Sequence, residues 1–101
     1  MAFPIVWSPE AIEDVNAIAE FIGRDSSFYA ESVVSKIVDI ADTLSSYPES
    51  GRMVPERKDS SLRERFIYNY RLIYRVDKDH ILIIAIIHGK QKLTHIDARF
   101  E

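Results

Sequence analysis

The stretch Leu62–Lys90, LRERFIYNYRLIYRVDKDHILIIAIIHGK, decides the fold, and it reads as a β-meander. Tyr70–Val76 (YRLIYRV) is rich in aromatic and β-branched residues and runs into Asp77-Lys78-Asp79, whose short polar side chains suit a tight turn between strands. Ile81–Ile87 follows as seven unbroken apolar residues. Too short for a membrane span and led by isoleucine, such a run suits a strand covered on both faces at the middle of a sheet. Both neighbouring strands carry arginines. The pattern therefore predicts a small sheet with one apolar face under helices and one face that displays positive charge.

Upstream, Phe3–Trp7 reads as a short strand ended by Ser8-Pro9. Serine at the N-cap with proline at the first helical position is a helix start, because proline gives up only an amide that would be unpaired anyway. Ala11, Val15, Ile18, Ala19 and Ile22 then recur at helical spacing, with Gly23 as the stop. Asp25, Ser26 and Ser27 offer caps for a second helix, whose stripe is Ala30, Val33, Val34, Ile37, Ile40, Ala41 and Leu44 and whose end is Tyr47-Pro48. Two helices with so short a link form an antiparallel hairpin, and the apolar face of the sheet is the partner both stripes need. Pro48–Arg52 reads as a turn, residues 53–61 as an exposed polar loop, and Leu93, Ile96 and Phe100 as one face of a short helix. The expected class is thus α+β: a single domain over residues 1–101, with an antiparallel sheet of about four strands packed against an N-terminal helical hairpin.

Composition bounds the function. The chain has 101 residues, 47% of them hydrophobic, which suffices for one core. It has no cysteine, so disulfides and thiolate metal sites are excluded, and the composition fits a reducing cytosol. No segment reads as a signal peptide or a membrane span, and the expectation is a soluble, cytoplasmic protein with no membrane partner. The histidines are not paired at ligand spacing, so no metal or other cofactor is expected. The net charge of −3 argues against a general nucleic-acid binder, but it conceals a gradient. Residues 1–50 hold nine acids and two bases, residues 51–101 seven acids and eleven bases. A basic surface on the C-terminal half, facing an acidic partner or a phosphate, follows unless salt bridges between helices and sheet absorb the charge.

Alternation along the strands places Arg71, Ile73 and Arg75 on one face and Leu72, Tyr74 and Val76 on the other. Arg63, Arg65 and Ile67 alternate with Leu62, Glu64, Phe66 and Tyr68. A hairpin loop of odd length around Asn69 would put all four arginines on one face; a two-residue loop would put Arg63 and Arg65 behind Leu72 and Tyr74. The odd register buries more apolar area and strands fewer charges, with Glu64 as its one misfit, and is the expected one. The result would be a basic concave patch of Arg63, Arg65, Arg71 and Arg75 beside His88 and Lys90. A lone arginine on such a face is more often a solvated charge; four converging ones point to an anion or an acidic partner. His88 suits either a structural bond to backbone or proton transfer. His80 and His95 read as incidental, Tyr70 and Tyr74 as core or rim aromatics.

Taken in order, Ser8-Pro9-Glu10-Ala11, Tyr47-Pro48-Glu49-Ser50-Gly51-Arg52, Val54-Pro55-Glu56, Tyr70–Val76 and Ala85-Ile86-Ile87-His88-Gly89-Lys90 resemble the RelE/ParE superfamily of bacterial toxins from type II toxin–antitoxin systems. The resemblance covers nearly the whole chain and implies an antiparallel sheet under a helical hairpin. It also implies one of two activities. RelE-like members are ribosome-dependent endoribonucleases that cut mRNA; ParE-like members poison DNA gyrase. In the nuclease, the 2′-hydroxyl of the RNA attacks the adjacent phosphate, which requires a base, a proton donor and cations. Arg63, Arg65 and Arg71 would serve the phosphate and His88 the protons. RelE-like enzymes are strongly basic and often carry a tyrosine near the C-terminus, whereas here the last tyrosine is Tyr74 and the chain is acidic. His88-Gly89-Lys90 looks more like the ParE side, although the family more often has arginine where this chain has Lys90-Gln91-Lys92. The resemblance implies a gyrase-binding toxin first, an mRNA interferase second, and third a degenerate toxin that stabilises a plasmid or locus through antitoxin binding alone. In each case the partner is a short, acidic, partly disordered antitoxin. Target or antitoxin contacts are expected from Arg63, Arg65, Arg71, Arg75, His88, Lys90 and Lys92.

Overall fold

A computed structural model describes residues 2–101. Its elements are β1 (Ile5–Trp7), α1 (Pro9–Gly23), α2 (Ser27–Thr43), β2 (Arg52–Met53), β3 (Leu62–Ile67), β4 (Tyr70–Val76), β5 (Ile81–His88) and a C-terminal 3-10 segment (Leu93–Phe100). The sheet has the order β1-β5-β4-β3-β2. The α+β class is as expected, with two differences. The sheet has five strands, because Arg52 and Met53 pair with Glu64 and Arg63 at the edge of β3. It is also mixed, because β1 runs parallel to β5, with Ile5 opposite Ile81. The meander leaves the outer edge of β5 open, and β1 fills it in the direction that delivers Ser8-Pro9 to the start of α1.

Both helix starts are capped as the sequence indicates. The Ser8 hydroxyl oxygen accepts the Ala11 N–H at 3.0 Å, and that of Ser26 accepts the Tyr29 N–H at 3.1 Å. The helical hairpin covers one face of the sheet, where Ala11, Ile18, Val33, Ile37, Ala41 and Leu44 pack against Ile67, Leu72, Tyr74, Ile81, Ile83 and Ile86. Each fully buried valine, leucine or isoleucine side chain among them contributes about 1.5–3 kcal/mol. No helix among the described residues is long and apolar enough to cross a membrane.

The opposite face is covered as well. Leu93, Ile96 and Phe100, the predicted apolar face of the tail, join Val54, Leu62, Ile73, Ile84, Ala85 and Ile87 in a second core. The expectation of one dry and one wet face is therefore overturned, whereas the expectation that Ile81–Ile87 is covered on both sides holds. A β-bulge makes this possible. Ile73 pairs with Ala85 and Tyr74 with Ile83, so Ile84 is the extra residue, and Ile84 and Ala85 both face the tail.

Candidate functional site

The loop joining β3 to β4 sets where the arginines point. Ile67 pairs with Tyr70, leaving a two-residue turn of Tyr68 and Asn69, with Tyr68 at φ 54°. Register then places Arg63 opposite Tyr74 and Arg65 opposite Leu72, on the side of the helices, while Phe66 pairs with Arg71 and Leu62 with Arg75 on the side of the tail. The expected patch of four arginines on one face is thus corrected: the even register is the one that forms. The odd register is the better one only when the second face meets water. With the tail covering it, Leu62 and Ile73 gain apolar surroundings there, and the even register loses its cost.

Arg71 is the clearest consequence. It is buried, 4% exposed, and every nitrogen of its guanidinium donates to a carboxylate. Nε meets Glu64 Oε1 at 2.8 Å, Nη1 meets Glu56 Oε2 at 2.9 Å and Nη2 meets Glu56 Oε1 at 3.0 Å, with Nη2 also bonded to Glu64. Glu64, the misfit of the odd register, is the partner that makes burial of Arg71 tolerable, and Arg52 Nε meets its other oxygen at 2.7 Å. Hydrogen bonding to Arg71, opposed by some desolvation, holds the Glu56 carboxyl below its ordinary value. Arg75 is half-buried and donates from Nη2 to the Phe100 carbonyl at 2.8 Å.

Arg63 and Arg65 lie at the rim of the opposite face, against the loop that follows α2. Arg63 Nη1 donates to the Gly51 carbonyl at 3.1 Å and Arg65 Nη1 to the Ser50 hydroxyl at 3.0 Å. The loop is held from below by the buried phenol of Tyr74, which donates to the Pro48 carbonyl at 2.7 Å and accepts the Gly51 N–H at 3.0 Å. Burial pushes the Tyr74 hydroxyl pKa up, with the Gly51 bond and the nearby arginines opposing. Glycine is required at 51: a Cβ there would come within 2.5 Å of the Glu64 carbonyl oxygen and 2.7 Å of the Tyr74 hydroxyl.

His88 ends β5 on the helix side, edge-to-face with Tyr70 at 6.0 Å between ring centroids. Its Nδ1 accepts the Lys90 N–H at 3.3 Å, so the neutral ring carries its proton on Nε2. The imidazole borders two depressions, one of about 440 Å³ with Phe66, Tyr68, Asn69 and Lys90, the other of about 330 Å³ with Phe21, Tyr70 and Gln91. Lys90 and Lys92 are exposed beyond the strand. The sequence-predicted residues therefore divide: Arg63, Arg65 and His88 belong to the helix side, Arg71 and Arg75 to the tail side. Glu56 stands in the Val54-Pro55-Glu56 motif, but nothing in the sequence marks it as the partner of Arg71; Phe21 lies in no motif, and an exposed aromatic on a helix becomes visible only once the other face of that helix is seen to be buried.

The family described as ParE toxin of type II toxin–antitoxin system, parDE, matches residues 5–93. A curated relative, toxin RelE2 of Caulobacter vibrioides, is 32% identical over 86 residues, covering 84% of this chain and 93% of its own. Among solved structures, the chromosomal ParDE system of P. aeruginosa contains a chain that superposes with a TM-score of 0.73 at 20% identity, over 88% of this chain and 98% of its own. A chain of the RelBE2 toxin–antitoxin complex of Mycobacterium tuberculosis superposes at 0.63 and 19% identity, over 87% and 99%. At such identities the structural likeness speaks to the fold alone.

Proposed function

Since this chain belongs to the family of ParE toxins of type II toxin–antitoxin systems, we propose that it acts by binding, as an inhibitor of DNA gyrase, and that a cognate antitoxin neutralises it. The observation that carries this reading is the state of Arg71. A metal-independent ribonuclease needs cations free to meet the charge that builds on phosphorus, placed with a proton carrier around one phosphate. Here Arg71 is spent on Glu56 and Glu64, and it lies across the sheet from Arg63, Arg65 and His88. That division suits binding surfaces more than a converging active site. A supercoiling assay with purified gyrase tests the proposal: inhibition that scales with added toxin is expected, and full supercoiling activity in its presence would overturn it.

A ribosome-dependent endoribonuclease is the second reading, favoured by the relative named RelE2 and by the half-buried Arg65 and the exposed His88 and Lys90. In vitro translation with primer-extension mapping of the message separates the two, since cuts at defined codon positions would establish cleavage. Silence in both assays, together with harmless expression, would leave a protein that retains antitoxin binding alone.

A further inference from the structure

We propose that the groove between the N-terminal segment and the loop after α2 receives an apolar side chain of an acidic partner segment whose carboxylates pair with Arg65 and Arg63; resting on the reading above, that partner is the antitoxin. The groove has a volume of about 510 Å³ and is lined by Phe3, Tyr47, Pro48, Glu49, Ser50 and Val76. Its walls are fixed before any partner arrives. Phe3 is clamped to Ser45 by two hydrogen bonds, from its N–H to the Ser45 carbonyl at 2.9 Å and from the Ser45 hydroxyl to its own carbonyl at 2.7 Å. The other wall, residues 48–51, is pinned by Tyr74. Preorganisation of this kind lowers the entropy lost on binding. Tyr47 stands 68% exposed over the groove, an aromatic surface that no element among the described residues covers.

Charge selects the occupant. Arg65 has no carboxylate within ion-pair distance among the described residues, and Arg63 has only Glu49, at 4.0 Å and on a side chain 79% exposed. Both guanidiniums touch the same wall of the groove through Ser50 and Gly51. Cations held against backbone and hydroxyl, next to an apolar slot, are complementary to a segment that places a large apolar side chain within a few residues of a carboxylate. A polyanionic nucleic acid fits less well, because Phe3, Pro48 and Val76 offer little to a phosphate backbone and the N-terminal half carries nine acids against two bases.

The test is a calorimetric titration of the full chain with the purified acidic protein of the adjoining reading frame. Tyr47→Ser, Arg65→Glu and the pair are compared with Arg24→Glu, a charge reversal at the exposed α1–α2 turn, at the opposite end of α2 from the groove. Tyr47 is exposed, so Tyr47→Ser leaves the fold intact, which thermal melts of each variant verify. Expected is a loss of roughly tenfold in affinity for each single variant and more for the pair, with the Arg65 effect shrinking at high salt and Arg24→Glu binding as the parent does. If the parent binds and the pair binds equally well, the groove assignment is overturned and the toxin–antitoxin reading stands. If the parent itself does not bind, that reading fails. A concentration-dependent dimer that Tyr47→Ser dissolves would assign the groove to a second copy, and displacement of the partner by single-stranded RNA through Arg65 would assign it to nucleic acid; either overturns the proposal.

Discussion

Asp14 and Arg99 lie 85 residues apart in the chain, yet their side chains meet in a two-pronged ion pair, Oδ2 to Nη1 at 2.7 Å and Oδ1 to Nη2 at 3.2 Å. The same Asp14 Oδ2 accepts the Ile86 N–H at 3.0 Å, where β1 no longer reaches the edge of β5. One carboxylate thus stands in for a missing strand and anchors the tail. Asp14→Ala is expected to cost about 2–3 kcal/mol in urea unfolding, since it leaves a backbone N–H and a guanidinium without partners in a partly buried site. Asp14→Asn, which keeps an acceptor for Ile86, should lose about half of that.

Arg71 and Glu64 are a buried pair, so removing one partner exposes the desolvation cost of the other. Arg71→Met is expected to destabilise by about 3–5 kcal/mol. Adding Glu64→Leu should recover most of the loss, giving a strong coupling term in a double-mutant cycle. A cost below about 1 kcal/mol for Arg71→Met would mean that the network is looser than its geometry.

Tyr74 offers a test of the loop that lines the groove. Tyr74→Phe removes the partner of both the Pro48 carbonyl and the Gly51 N–H, and a loss of about 1–3 kcal/mol is expected from chemical denaturation. Its hydroxyl titrates above the ordinary tyrosine value, so the stability tied to it is full below about pH 10 and declines as pH rises toward the raised folded value. The phenylalanine variant should lack that alkaline decline.

Glu56 gives the acid limb. Its folded pKa is lowered from 4.5, so the stabilisation it provides is present above that value and lost as pH falls through the lower one. Denaturant titrations from neutral pH downward should show the parent ahead of Glu56→Gln at pH 7 and that lead shrinking progressively as pH falls below about 4.5. A gap that stays constant with pH would show that the Glu56 charge contributes nothing.

Much of the fold is legible in local chemistry. Ser8-Pro9 and Ser26 cap real helices, the two stripes do pack on the sheet, and the isoleucine run is covered on both sides. What local chemistry cannot carry is the assignment of faces. Leu93, Ile96 and Phe100 are readable as a helical face, but nothing near them says that they close over Leu62 and Ile73. Without that cover Glu64 looks misplaced and Arg71 looks free; with it they become each other's partner. Two residues of β2 are too few to leave a pattern, and the direction of β1 depends on which edge the meander leaves vacant. The arginine register failed for the same reason: it is decided by tertiary cover, not by alternation within each strand.

Ile84 and Ala85 determine more than their own packing. Two consecutive residues on one side reset the odd–even count for everything downstream, so the side on which the His88 imidazole emerges is chosen four positions before it. Strict alternation that kept Ile84 without the bulge would send His88 across to the company of Arg71, whereas excising Ile84 would remove the doubled step and leave His88 on the helix side, with Ile81–Ile83 in their places in both cases. In this chain the address of a residue at the mouth of two depressions is written as a frameshift in the strand that carries it.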